Sequence, residues 1–183
     1  MKSFRLAVLC LSVVACVRPV AFAAAESPVK VQASRALSLA VVDLSRGNDA
    51  SEQLSNAFKE GLSFEMSQRC NAPTPIKPAR VDASRAGWGL GTGLYDVAVV
   101  IGGNVPKAMV SSQFTIYKAV PESGDAKRTI SLITRKADPG LAQLLADSFP
   151  EAIKGAFFQK ALTLYSGGSD AAATEWKVAG LGN

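Results

Sequence analysis

Residues 89–104 read Gly-Leu-Gly-Thr-Gly-Leu-Tyr-Asp-Val-Ala-Val-Val-Ile-Gly-Gly-Asn, GLGTGLYDVAVVIGGN. The middle of this stretch, Leu94 to Ile101, is apolar on both faces except for Tyr95 and Asp96. That pattern belongs to a strand in the interior of a sheet covered from both sides. The glycines at its ends invite a nucleotide-binding reading, but their spacing argues against it. A dinucleotide fingerprint needs Gly-x-Gly-x-x-Gly after a strand and at the start of a helix. Here Gly87, Gly89, Gly91 and Gly93 recur at every second position and precede the strand. The Gly-Lys-Ser/Thr step of a Walker loop is missing too. Ala83 to Gly93 is short and glycine-broken, enough for one or two helical turns, and Gly87 to Gly93 is expected to be a flexible turn that delivers the chain into its central strand. Trp88, set among these glycines, is expected to pack over the sheet edge, with stacking on a ligand as the alternative.

Alternation on either side of this strand predicts the rest. Ala36 to Leu44, ALSLAVVDL, is a β-type run. Leu54, Phe58, Leu62 and Met66 then step by four, the spacing of one helical face, in a helix ending near Arg69 or Cys70. Ile76 to Val81 is a weaker strand whose Pro78 suits an edge or a bulge. Two further runs, Gln113 to Val120 and Thr129 to Lys136, flank the charged loop Pro-Glu-Ser-Gly-Asp-Ala-Lys and predict an antiparallel hairpin. Asp138-Pro139 opens a helix with proline at its first position. Pro150 is expected to break that helix, and Glu151 to Tyr165 to form another. The order β-α-β-(α)-β, hairpin, helices predicts an α/β fold. Its sheet is expected to be open and mixed, with about five strands (three parallel plus an antiparallel hairpin) flanked by helices. Residues 24–35 read as a flexible leader, 36–168 as a single domain, and 169–183 as a Gly/Ser/Ala-rich tail in which Trp176 is a docking point.

The first 23 residues read as an export signal. Met-Lys-Ser-Phe-Arg is a short basic start, Leu6 to Val17 an apolar run, and Ala21-Phe22-Ala23 a small-x-small cleavage site. The run is shorter than the roughly 20 residues a membrane span needs. The expected location is periplasmic or secreted. Val13-Val14-Ala15-Cys16 also resembles a lipobox, which leaves a lipoprotein anchored through Cys16 as the alternative. Loss of the signal removes Lys2, Arg5 and Arg18, so 20 basic residues against 15 acidic become 17 against 15. No basic stripe interleaved with aromatics is left, and nucleic acid is a poor partner. Of the three cysteines, only Cys70 lies beyond the signal. It cannot form an internal disulfide, and reads as a small buried residue at a helix end or as a reactive thiol. With no histidine in the chain, a Ser-His triad, a Cys-His pair and the usual zinc sets are all excluded. The protein is read as a non-enzyme, with no metal and no cofactor.

Three segments carry a resemblance, in order. Gly93-Leu-Tyr-Asp-Val-Ala-Val-Val resembles the Gly-x-x-Asp entry to a buried strand in lobe one of type 2 periplasmic solute-binding proteins, particularly the amino-acid-binding kind. Ile130-Ser-Leu-Ile-Thr-Arg-Lys-Ala-Asp-Pro-Gly-Leu is similar to the strand, basic pair and Asp-Pro that lead into their C-terminal helix. FPEAIKGAFFQKALTLYSGG, 149–168, is similar to their closing helical segment. The resemblance spans about residues 36 to 168 and implies an exported, transport-associated, solute-binding-like domain. The hairpin runs straight into the C-terminal helices, so the second lobe is missing and the domain is expected to be a single lobe. The arginine of the family's Thr…Arg pair, which takes a ligand carboxylate after the central strand, is also missing from Gly102-Gly-Asn-Val-Pro-Lys107.

In an open α/β sheet, ligands sit outside the carboxyl ends of the strands. That points to two loops, which contribute Arg46 and Asn48 from the first and Gly102, Gly103, Asn104 and Lys107 from the second. Helix N-termini after these loops would offer free N–H groups to an anion. The plainer reading of Gly-Gly-Asn is a tight turn with Lys107 in solvent. Asp96 is expected to bond backbone at the start of its strand, because an unpaired buried carboxylate is costly. Two functions are compatible with these features. One is weak binding of a small anionic or zwitterionic metabolite, such as an amino acid or small carboxylate. The other is a periplasmic interaction or adaptor role, in which the lobe surface docks a protein partner or a second copy and binds no small molecule.

Overall fold

The computed structural model describes residues 36–44, 49–70, 73–121, 128–165 and 176–181. Its strands are β1 (Leu37–Asp43), β2 (Ile76–Arg80), β3 (Val97–Ile101), β4 (Phe114–Pro121), β5 (Ile130–Arg135) and β6 (Trp176–Leu181). Its helices are α1 (Asp49–Cys70), α2 (Ala83–Thr92), α3 (Pro139–Lys154) and α4 (Ala156–Tyr165), with a short 3-10 turn at Lys107–Met109. The strands form one sheet in the order β2-β1-β3-β5-β4-β6. β1 pairs in parallel with both β2 and β3, whereas β5 runs antiparallel to β3 and to β4. The parallel trio and the hairpin are those the sequence predicts. The C-terminal segment adds a sixth strand, paired antiparallel with β4 from Ile116↔Leu181 to Pro121↔Trp176.

The period of two along each strand divides the apolar residues between two cores. Leu39 and Val41 of β1, Val97, Val99 and Ile101 of β3, and Ile130 and Leu132 of β5 face α1, α3 and α4. Ala40 and Val42, Ala98 and Val100, and Ile133 face α2 and the 3-10 turn. This explains why β1 and β3 carry apolar residues at nearly every position. β2, by contrast, forms one border of the sheet, where Pro78 opposite Leu39 costs no ladder bond on its outer side.

The four-residue step in α1 is a buried stripe, as Leu54, Phe58, Leu62 and Met66 are all inaccessible to solvent or nearly so. Phe58 meets Phe149 of α3 and Phe158 of α4 edge to face, with ring centroids 6.0 and 6.1 Å apart. This aromatic trio joins three helices. Each such pair adds about 0.5–1.5 kcal/mol beyond the area it buries.

Three expectations are corrected. First, the helical turns expected over Ala83 to Gly93 are present as a regular ten-residue helix, α2, which takes in Gly87 to Gly91 in place of the expected flexible turn. Asp82 caps its start by accepting from the Arg85 N–H at 2.9 Å, and Gly93 ends it with φ 80°. Two of the alternating glycines are there for close approach. A Cβ on Gly87 would fall 2.1 Å from the Ala108 carbonyl oxygen, and one on Gly89 2.3 Å from the Tyr95 ring. Second, α3 runs on through Pro150, and the break comes at Gly155. A proline removes one helical N–H, but the flanking Phe149, Ala152 and Ile153 are buried against α1 and hold the helix together. Third, Trp88 is 62% exposed and is not core. On α2 it comes after the buried Ala86 and Gly87, so the helical rotation turns it outward.

Two outcomes check this packing. Gly87→Ala has no room for its methyl group without displacing the backbone at Ala108, and is expected to cost at least about 2 kcal/mol in urea unfolding. Tyr117 of β4 packs beside α3, where burial and then the Asp147 carboxylate push its phenol above the ordinary 10.0. The unfolded phenol therefore ionises first as pH rises, so stability present below pH 10 declines above it. Tyr117→Phe is expected to flatten that alkaline decline in pH-dependent thermal melts.

Candidate functional site

Because β1, β2 and β3 are parallel, their last residues, Asp43, Arg80 and Ile101, lie along one edge of the sheet. Asp43 organises that edge. Its Oδ1 accepts from the Tyr165 hydroxyl of α4 at 2.9 Å, and its Oδ2 from Arg80 Nη2 at 3.3 Å. The same Arg80 Nη2 donates to Ser51 Oγ, in the first turn of α1, at 2.6 Å. β1, β2, α1 and α4 each contribute one side chain. The Asp43 side chain is 6% exposed and that of Arg80 45%. Burying a carboxylate this deeply demands partners, and Arg80 and Tyr165 supply them. The Arg80 fork is only half used, since neither Nη1 nor Nε bonds to any described residue. Sequence reasoning missed Arg80, Ser51 and Tyr165 because nothing local marks them. Only the parallel pairing of β2 with β1 brings Arg80 to Asp43, and only the packing of α4 on α1 brings Tyr165 there.

Of the residues expected to bind a ligand, the described ones all follow β3. Arg46 and Asn48 lie outside the described residues. Gly102 and Gly103 turn the chain at the end of β3 with φ 80° and 120°. The Gly102 N–H is already committed to the Thr129 carbonyl at 2.9 Å. Asn104 is exposed, and its Oδ1 accepts from Lys118 Nζ at 3.3 Å. Lys107 is exposed at the start of the 3-10 turn. The helix N-terminus expected after this loop is absent. In its place is a three-residue turn whose Met109 and Val110 N–H groups go to the Pro106 and Lys107 carbonyls. The cause is the buried Met109, which draws the loop down against α2. Lys107 is thereby held on the α2 side of the sheet, while Arg80 bonds Ser51 of α1 on the other side.

The opposite edge holds the Gly-x-x-Asp motif. Asp96 Oδ2 accepts from the Ser38 N–H at 2.9 Å, and the Asp96 N–H donates to the Ser38 carbonyl at 2.9 Å. Its Oδ1 lies 3.7 Å from Arg135 Nη2, and that guanidinium donates through Nε and Nη2 to Asp138 Oδ2 at 2.9 and 2.6 Å. The expectation that Asp96 bonds backbone at the start of its strand is met. Gly93 belongs to the same arrangement, since a Cβ there would come within 2.8 Å of Arg135 Nη1. The motif thus ties β1, β3, β5 and the start of α3 together. Cys70 is half-buried at the end of α1. Among the described residues, no three His, Cys, Asp or Glu side chains are grouped to hold a metal ion.

No protein-family model matches this chain, and no curated protein does. Among solved structures it is similar to an OxyR mutant from Porphyromonas gingivalis, at 11% identity and a TM-score of 0.33, over 63% of this chain and 94% of that one. A likeness of that depth carries no argument about ligand, partner or activity.

The two edges are expected to respond differently to truncation. Asp96→Ala leaves the Ser38 N–H without its acceptor and takes a carboxylate from beside Arg135, which keeps Asp138, and is expected to cost about 1–3 kcal/mol in denaturant unfolding. Arg80→Ala removes a half-exposed partner from the buried Asp43 carboxylate, which keeps the Tyr165 hydroxyl, and is expected to cost about 1–2 kcal/mol.

Proposed function

We propose that this protein is a non-catalytic, one-lobed binding domain of the solute-binding type. It takes a small anionic or zwitterionic molecule weakly at the carboxyl edge of β1, β2 and β3. The observation that carries this reading is the half-used guanidinium of Arg80, 45% exposed on the edge where open α/β sheets bind ligands. A planar fork with free N–H groups suits a carboxylate, which a lysine meets only as a point charge. Arg80 offers from the end of β2 the group that the loop after β3 lacks. A single lobe leaves such a ligand largely uncovered, in keeping with weak binding. An exported address accompanies the reading, on the strength of the basic start, apolar run and Ala21-Phe22-Ala23.

A thermal-shift panel of amino acids and small mono- and dicarboxylates tests this. At about ten times its Kd, a ligand stabilises by about 1.4 kcal/mol, or about 3–5 °C for a domain of this size. The expected result is a shift of that order for one chemical class, lost in Arg80→Ala and not restored in Arg80→Lys. Lys107→Ala shows whether the loop after β3 joins the site. Silence across the panel sinks the ligand reading and leaves the lobe as a surface for docking a protein.

A further inference from the structure

Arg80 Nη2 carries two hydrogens and already has two acceptors, Asp43 Oδ2 at 3.3 Å and Ser51 Oγ at 2.6 Å. This limits how the guanidinium can meet a further anion. A guanidinium presents two parallel forks to a carboxylate, one made by Nε with Nη2 and the other by Nη1 with Nη2. Arg135 uses the first pair of nitrogens in the same molecule, since its Nε and Nη2 both donate to Asp138 Oδ2, at 2.9 and 2.6 Å. Both forks need Nη2. The open donors of Arg80, on Nη1 and Nε, flank that nitrogen and by themselves offer an incoming carboxylate no parallel pair.

A two-point grip on a carboxylate therefore requires Nη2 to give up one acceptor. Asp43 is the looser of the two. Its 3.3 Å contact is longer than about 2.7–2.9 Å, the usual length of a charge-assisted N–H···O bond, whereas Ser51 is held at 2.6 Å. Asp43 is also the same chemical group as the ligand's, so the exchange replaces one carboxylate on the guanidinium by another and keeps its charge matched. Once released, Asp43 is not stranded, because the Tyr165 hydroxyl donates to its other oxygen at 2.9 Å.

Resting on the ligand reading above, we infer that Asp43 is an internal competitor for the ligand. Its carboxylate holds the Nη2 hydrogen that a bound carboxylate needs, and Tyr165 sets how readily it lets go. Binding then exchanges the Asp43–Arg80 pair for a ligand–Arg80 pair. It leaves a carboxylate that is 6% exposed without Arg80, an unfavourable step that accompanies every binding event and keeps affinity low. Two substitutions should move affinity in opposite directions. Asp43→Asn keeps an oxygen for Tyr165 and removes the competing charge. Tyr165→Phe removes the hydroxyl that stabilises Asp43 when released, and so tightens the hold of Asp43 on Arg80.

The test titrates acetate, glycine and succinate at constant ionic strength and follows amide and guanidinium chemical shifts at Arg80 and Ser51. Chloride serves as an anion that cannot bridge a fork. Asp43→Asn is expected to bind at least one of the acids about tenfold or more tightly than the unsubstituted protein, while its affinity for chloride changes about threefold or less. Tyr165→Phe is expected to bind the same acid about threefold or more weakly. In Arg80→Lys, which has no fork, adding Asp43→Asn should bring no such gain. Thermal melts of each variant separate lost binding from lost folding. If Asp43→Asn does not fold, Tyr165→Phe decides alone, and unchanged or tighter binding overturns the inference. An equal gain for chloride and the acids also overturns it, because loss of negative charge then explains the effect. If the acids bind through Arg80 and Asp43→Asn leaves their affinity unchanged or lowers it, the inference falls and the ligand site stands. If the acids bind neither the unsubstituted protein nor Asp43→Asn, the site itself falls and the inference with it. Binding to Asp43→Asn alone supports the inference, with Asp43 as a competitor strong enough to close the site.

Discussion

Everything in this structure depends on burying β1 and β3 from both sides. Each strand places apolar side chains alternately above and below the sheet, so neither face can be left wet. One face is covered generously, by α1, α3 and α4 around the Phe58 trio. The other is covered sparsely, by α2 and a three-residue turn. That scarcity explains the glycines. A short helix can shield this much sheet only by lying very close to its neighbours, and Gly87 and Gly89 give up their side chains to let the backbone at Ala108 and the Tyr95 ring approach.

The two ends of the parallel trio settle their charges differently. At the amino end, Asp96 is nearly inaccessible and its contacts to Ser38 and Arg135 lock strand to strand. At the carboxyl end, Asp43 is equally deep, but its basic partner reaches solvent. The first arrangement commits its polar groups to the fold. The second keeps donors in reserve, and such asymmetry between the two ends is where an open α/β sheet has room for binding chemistry.

Much of this was legible in the sequence. The step of four in α1, the doubly apolar β1 and β3, the proline of the border strand and the proline that opens α3 are local signals, and each places its element correctly. The structure departs from expectation where a distant partner decides. Alternating glycines read alone suggest a broken helical turn or a flexible loop, but they form a regular, close-packed helix when Tyr95 and Ala108 lie against them. Pro150 means a stop when read alone, but α1 holds the helix beyond it. Arg80 and Tyr165 were invisible for the same reason, since the sequence separates them widely from Asp43 and only the fold joins them. The site residues read from the loop after β3 were judged by loop position, without the buried Met109 that draws that loop toward α2.

The sixth strand has a consequence for how the molecule comes together. β4 lies between β5, its immediate successor in the chain, and β6, which comes only after both C-terminal helices. Until β6 arrives, β4 presents a bare row of backbone donors and acceptors, a template for pairing with any strand nearby. The border formed by β2 has a proline to blunt it, and β4 has none until its final residue, Pro121. Without β6 the hairpin would be complete but its outer edge would stay open to other strands. In the folded protein β6 guards that edge, and loss of its pairing would expose β4 along most of its length.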